Sequence, residues 1–80
     1  MPSYSQSVSY TAVPITKSDS TTYSPPLRWL DVTTGGDVTF IDGNGASVTL
    51  SSVPSGYAIK CIIKKVMSTG TTASGMIGYP

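Results

Sequence analysis

Four carboxylates (Asp19, Asp31, Asp37 and Asp42), one thiol (Cys61) and the Gly-rich loop Asp42-Gly43-Asn44-Gly45 are the residues from which a reactive or ligand-binding site would have to be built. The chain has no His and no Glu. Hydrolytic and transfer reactions need a base, a nucleophile or a metal in a shielded pocket. With no His to activate it, Cys61 reads as a small buried hydrophobe rather than a nucleophile. Asp42, Asn44 and Ala46 would stand at alternate positions of a calcium loop, but Ala46 has no ligand atom and the bidentate Glu of an EF-hand is missing. A single Cys without His makes no zinc site and no intrachain disulfide. The four Asp residues fall near predicted turns or strand ends, where they read as turn formers, and no spacing pairs them for acid–base work. The expectation is a protein that is not an enzyme, with no catalytic residue, no cofactor and no metal.

Binding chemistry is sparse as well. Arg28 adjoins Trp29, and Lys60, Lys64 and Lys65 cluster. Single-strand nucleic-acid sites pair basic grooves with aromatic platforms. Here the net charge is +1, so the field is weak and nucleic acid is not an expected partner. The first residues lack the charged start and long apolar core of a signal peptide. No apolar run approaches the ~18 residues of a membrane span. A soluble protein made and used without secretion is expected, with no membrane partner, and the unpaired Cys61 agrees with a reducing compartment.

The elements that would carry these residues are short. At 80 residues the chain is one domain with a small core, and oligomerisation is the support that remains once disulfides and metal are set aside. No segment has a helical period. Short runs separated by Gly and Pro predict an all-β, single-domain antiparallel barrel or sandwich over residues 15–80. Residues 1–14 are rich in Ser and Tyr and are read as an extended or flexible N-terminal arm, with Tyr4, Tyr10 and Val13 as candidate subunit or capsid contacts. Leu27 to Val32 reads as a strand and Gly35-Gly36 as a two-residue hairpin turn. Val53-Pro54-Ser55-Gly56 reads as a turn with Pro at its second position. Gly75 to Tyr79 is a short last strand.

The hairpin Val38 to Leu50 can be read to the residue. A two-residue Asn44-Gly45 turn would set Phe40 against Thr49. A three- or five-residue loop centred on Asn44 sets Phe40 against Val48 and Val38 against Leu50, with Thr39 and Thr49 together on the other face. A one-residue slip turns every side chain over, so burial selects the second register. DGNG is then a bend. Tyr57 to Met67 reads as one long strand with Ile59, Cys61 and Ile63 inside. A bulge at Lys64-Lys65 would return Val66 to the core face. Ile62 falls on the outer face between two lysines and is a further candidate contact.

From Ile15 onward the order of features resembles a family of small all-β phage head proteins. They are described as head-spike base or capsid decoration proteins and are also found in gene-transfer-agent particles. The family pattern opens with a Ser-Asp-Ser/Thr turn, here Ser18-Asp19-Ser20-Thr21. A Pro before an Arg-containing strand follows, here Pro26 with Leu27-Arg28, and then Gly36-Asp37-Val38-Thr39 and the turn Asp42-Gly43. Val53-Pro54-Ser55-Gly56, Ile63-Lys64-Lys65-Val66 and Thr69-Gly70-Thr71-Thr72-Ala73 complete the series. The chain departs from the pattern in two extra residues at Asp42–Ser47, in Lys65 where Arg is usual, and in its long Ser/Tyr-rich start.

The resemblance implies a virion component on the outer surface of the head, made in the host cytoplasm. It would act as a cement or decoration protein that stabilises the shell, or as the base of a head spike. Its implied partners are the major capsid protein, further copies of itself as a symmetric trimer or pentamer, and a spike fibre. A tail or fibre adaptor, and a small barrel binding single-stranded nucleic acid or sugar, are the alternative readings.

Overall fold

The computed structural model describes residues 11–80. These residues form seven strands and no helix: β1 (Val13–Pro14), β2 (Trp29–Thr34), β3 (Gly36–Asp42), β4 (Ser47–Val53), β5 (Tyr57–Ile59), β6 (Ile63–Val66) and β7 (Ser74–Tyr79). They make two antiparallel sheets, ordered β1-β7-β2-β5 and β4-β3-β6. The all-β expectation holds, and of its two forms the architecture is sandwich-like, because the sheets do not close into a barrel.

Period-two patterning places the core between the sheets. Leu30 and Val32 of β2, Ile59 of β5 and Met76 of β7 face Val38 and Phe40 of β3 and Ile63 and Val66 of β6, all of them buried. Leu27, Val53 and Ala73 complete the cluster. Among the described residues every buried side-chain polar atom has a hydrogen-bond partner.

The hairpin register is the one that burial selects: Val38 pairs with Leu50, Thr39 with Thr49 and Phe40 with Val48. The Asp42 amide donates to the Ala46 carbonyl at 2.9 Å, leaving the three-residue loop Gly43-Asn44-Gly45. Gly45 has φ +85°, a left-handed conformation that a β-carbon disfavours. Asp42 Oδ1 accepts the amides of Asn44 and Ala46, both at 2.9 Å, so the DGNG carboxylate serves the bend. The predicted bulge is also present. Ile41 pairs with Lys65 and Asp42 with Ile63, so Lys64 is the extra residue, and Ile63 and Val66 are both buried.

Three local expectations need correction. Gly35-Gly36 is not a hairpin turn, because β2 and β3 lie in different sheets. A hairpin would set Leu30 and Val32 beside Val38 and Phe40, whereas the core needs them opposite. Gly35 makes this corner because a β-carbon there would collide with the Val53 carbonyl. Tyr57 to Met67 is likewise not one strand. Tyr57–Ile59 pairs with β2, the chain crosses at residues 60–62, and Ile63–Val66 pairs with β3. One apolar run thus feeds both inner faces, and Cys61, at the crossing, is half-buried against the core rather than inside it. Finally, the Tyr57 amide donates to the Pro54 carbonyl at 3.2 Å, so Pro54 holds the first position of that turn.

Candidate contact surface

Strand directions bring several exposed side chains to one end of the sandwich. Trp29 pairs with Tyr79, Asp42 with Ile63, and Leu27 bridges to Ile63. The start of β2, the end of β7, the 60–62 crossing and the DGNG loop therefore lie together. Trp29 and Ile62 are two of the three large apolar residues left exposed among the described residues, and Tyr57 is the third.

Trp29 is held in place rather than loose. Its Nε1–H donates to Asp31 Oδ1 at 2.8 Å, and the Tyr79 hydroxyl donates to Asp31 Oδ2 at 3.1 Å. Residues 29 and 31 share a face because strand side chains alternate. Tyr79, opposite Trp29, shares it too. The Asp31 bond raises the Tyr79 phenol above its ordinary pKa, with desolvation and the Asp31 charge adding. The Lys60 ammonium stands 5.2 Å from the Trp29 ring centroid, within cation–π range. Arg28 Nε donates to the Pro80 carbonyl at 3.2 Å at the same end. The result is a braced aromatic platform with cations beside it, the side-chain chemistry over-represented at protein–protein contacts.

Ile62 sits at the rim of this end. Gly43 lies beneath it, so that a β-carbon on Gly43 would come within 3.0 Å of Ile62 Cγ2. Val13 lies at this same end, on the far side of β7, where Gly78 stands between it and Leu30. It is half-buried in β1, opposite Gly78 of the same chain, and Pro14 pairs with Ile77. Tyr4 and Tyr10 lie outside the described residues.

The carboxylates are mostly long-range staples. Asp37 Oδ1 accepts the Ser52 amide at 2.9 Å. Asp19 accepts the Ser68 and Thr69 amides at 2.8 and 2.9 Å and the Thr69 hydroxyl at 2.6 Å, across about fifty residues of chain. Those bonds, the Thr69 hydroxyl first, hold the Asp19 pKa below its ordinary value. Of the four, only Asp42 serves the turn in which it sits. Among the described residues no three His, Cys, Asp or Glu side chains group as metal ligands.

No family model matches the chain, and no curated protein matches it. A solved structure does: the capsid of a native GTA (gene-transfer-agent) particle, computed with C5 symmetry, contains a chain that is 30% identical over 100% of both chains, with a TM-score of 0.78. The chain belongs to the same family as that GTA-particle protein.

The sequence places Ile62 on an outer face, and it is exposed in the fold, but it does not reveal the platform around Trp29. The spacing of Trp29 and Asp31 is a visible signal, since residues two apart on a strand share a face. The approach of Lys60 and Tyr79 depends on strand order, which no local pattern carries.

Proposed function

We propose that the chain is a structural component of a phage-like capsid, seated on the outer surface of the shell as a symmetric homo-oligomer. It acts there as a cement or decoration protein, or as the base of a head spike, with the major capsid protein as its principal partner. The likeness to the GTA capsid chain, end to end at 30% identity and a TM-score of 0.78, carries this reading. The described residues support it by what they offer: a small core and an exposed aromatic end that suits a protein contact. Repetition over many capsomers turns weak single contacts into firm attachment.

The test is co-sedimentation with empty capsids, together with the mass of the free protein by light scattering. A fixed ratio to capsomers is expected. A free trimer favours cement at a threefold site, and a pentamer favours a spike base at a vertex. A stable monomer that ignores the shell would overturn the proposal and bring the adaptor reading forward.

A further inference from the structure

The sandwich closes most of its edges. The outer edge of β6 is covered by the chain itself, through bonds from the Ser18, Tyr23 and Leu27 amides to the Val66, Lys64 and Ile63 carbonyls. In the other sheet the edge strands β1 and β5 have two and three residues. The edge at β4 is different. Ser47–Val53 has seven residues and, among the described residues, pairs only with β3. It carries no Lys, no Pro and no charge, the devices that usually blunt an edge. A bulge disturbs only its far end, where Ser52 has φ 56° and the register against β3 slips by one residue.

The open groups can be assigned. The Asp42–Ala46 pair is hydrogen-bonded, and hydrogen-bonded and non-bonded pairs alternate along an antiparallel ladder. Val48 and Leu50 therefore turn their backbone groups toward β3, and Ser47 and Thr49 turn theirs outward. The side chains of Val48 and Leu50 are packed against the core but only half-buried, because nothing among the described residues lies beyond them.

A matching sequence pattern exists in the same chain. Ser3, Ser5, Ser7 and Ser9 alternate strictly with Tyr4, Gln6, Val8 and Tyr10. This is the period of a strand with one hydroxyl face and one larger, mostly apolar face. The β4 strand repeats it, with Ser47, Thr49 and Ser51 against Val48 and Leu50. Added to the β4 edge, such a strand would cover Val48 and Leu50 with Tyr4, Val8 and Tyr10 and continue the hydroxyl face with serines.

We propose that residues 3–10 of one copy add as a strand to the β4 edge of a second copy. The inference rests on the oligomeric part of the proposed function and names the joint that holds the oligomer together. A second copy is favoured over the same chain by distance. Residue 13 lies on β1, on the flank from which the chain passes to β6, whereas β4 is joined to β5 on the opposite flank by residues 54–56. Crossing three strand spacings and the gap between sheets takes about 24 Å. At about 3.4 Å per residue this uses roughly seven residues, too many to leave a pairing segment. An arm given to one neighbour and an edge offered to the other is a heterologous contact, which closes into a ring when the rotation between copies divides the circle.

The test is backbone amide exchange at Ser47 and Thr49 in the full chain, in a variant lacking residues 2–10, and in T49P. The proposal expects exchange slowed at least about tenfold in the full chain at high concentration. That protection is lost on deletion and lost on dilution, with the light-scattering mass falling in step. T49P removes an outward amide and should lower the mass to that of the deletion variant, whereas T49A, which keeps the amide, should not. Protection that survives deletion, or that is independent of concentration, overturns the proposal, the latter by assigning the edge to the same chain. If T49P does not fold, the deletion and dilution arms still decide. Co-sedimentation of the same proteins with empty capsids separates the two readings. Shell binding without edge protection sinks only the strand exchange, and edge protection without shell binding sinks only the capsid role.

Discussion

Ile62 rests on Gly43, with its Cγ2 atom 3.0 Å from where a β-carbon of residue 43 would stand. The sheet-crossing segment and the tip of the β3–β4 hairpin therefore present one joint surface, with an exposed isoleucine at its rim. Ile62→Asp should disrupt assembly on shells and change the melting temperature far less than a core substitution, since the side chain lies outside the core at 42% exposure. Asn44→Ala, at the tip of the same loop, should have little effect on either. Co-sedimentation and thermal melts of the two variants check this, and equal behaviour would leave Ile62 as an ordinary exposed residue.

The neighbouring residue should behave in the opposite way. Ile63 is fully buried between the sheets, and Ile63→Ala should cost about 2–5 kcal/mol. Ile62→Ala should stay within about 0.5 kcal/mol. Chemical denaturation of both variants measures the difference directly.

Much of this arrangement was legible before the structure. The alternation of Val38, Phe40, Val48 and Leu50 set the hairpin register, and the doubled Lys64-Lys65 announced the bulge. Both follow from one-dimensional patterns in which burial leaves a single answer. The crossing at residues 60–62 was not legible, because a continuous apolar run reads the same whether it fills one sheet or two. The roles of Asp19, Asp31 and Asp37 were hidden for a related reason. The partners of Asp19 and Asp37, and the Tyr79 hydroxyl on Asp31, lie on other parts of the chain that only the topology brings together, whereas the Trp29–Asp31 bond is local to β2. For Asp42 the partners are two and four residues on, and its turn role was read correctly.

Trp29 is braced by Asp31 and partly covered by Lys60, yet it remains 38% exposed. Trp29→Ala should weaken shell binding about tenfold or more, as expected of an aromatic anchor, with a small loss of stability. Titration of labelled protein against capsids provides the measurement. Loss of folding instead of loss of binding would assign the ring to the sandwich alone.

Asp19 shapes the acid end of the stability curve, and Tyr79 the alkaline end together with Tyr23, whose phenol is raised by burial. The Asp19 carboxyl is held low, chiefly by the Thr69 hydroxyl. Its contribution is present above the ordinary carboxylate pKa and is lost as pH falls through the lower folded value. The Tyr79 phenol is held high by its bond to Asp31. Its contribution is present below the ordinary phenol value of about 10 and is lost as pH rises through the higher folded value. Melting temperature followed across pH should fall at both ends. Asp19→Ala should flatten the acid limb alone and Tyr79→Phe the alkaline limb alone.

The pairing of Val13 with Gly78 fixes where the polypeptide enters and leaves. Residues 11 and 80 emerge side by side, at the end that carries Trp29 and Ile62. The opposite pole is made of the Pro54–Tyr57 turn and the segment that follows Ser68, and at Gly56 an added β-carbon would meet nothing within 4 Å. A foreign peptide spliced in at Gly56 would point away from residues 11 and 80 and from the aromatic end. Under the proposed attachment through the aromatic end, such an insert would project away from the shell.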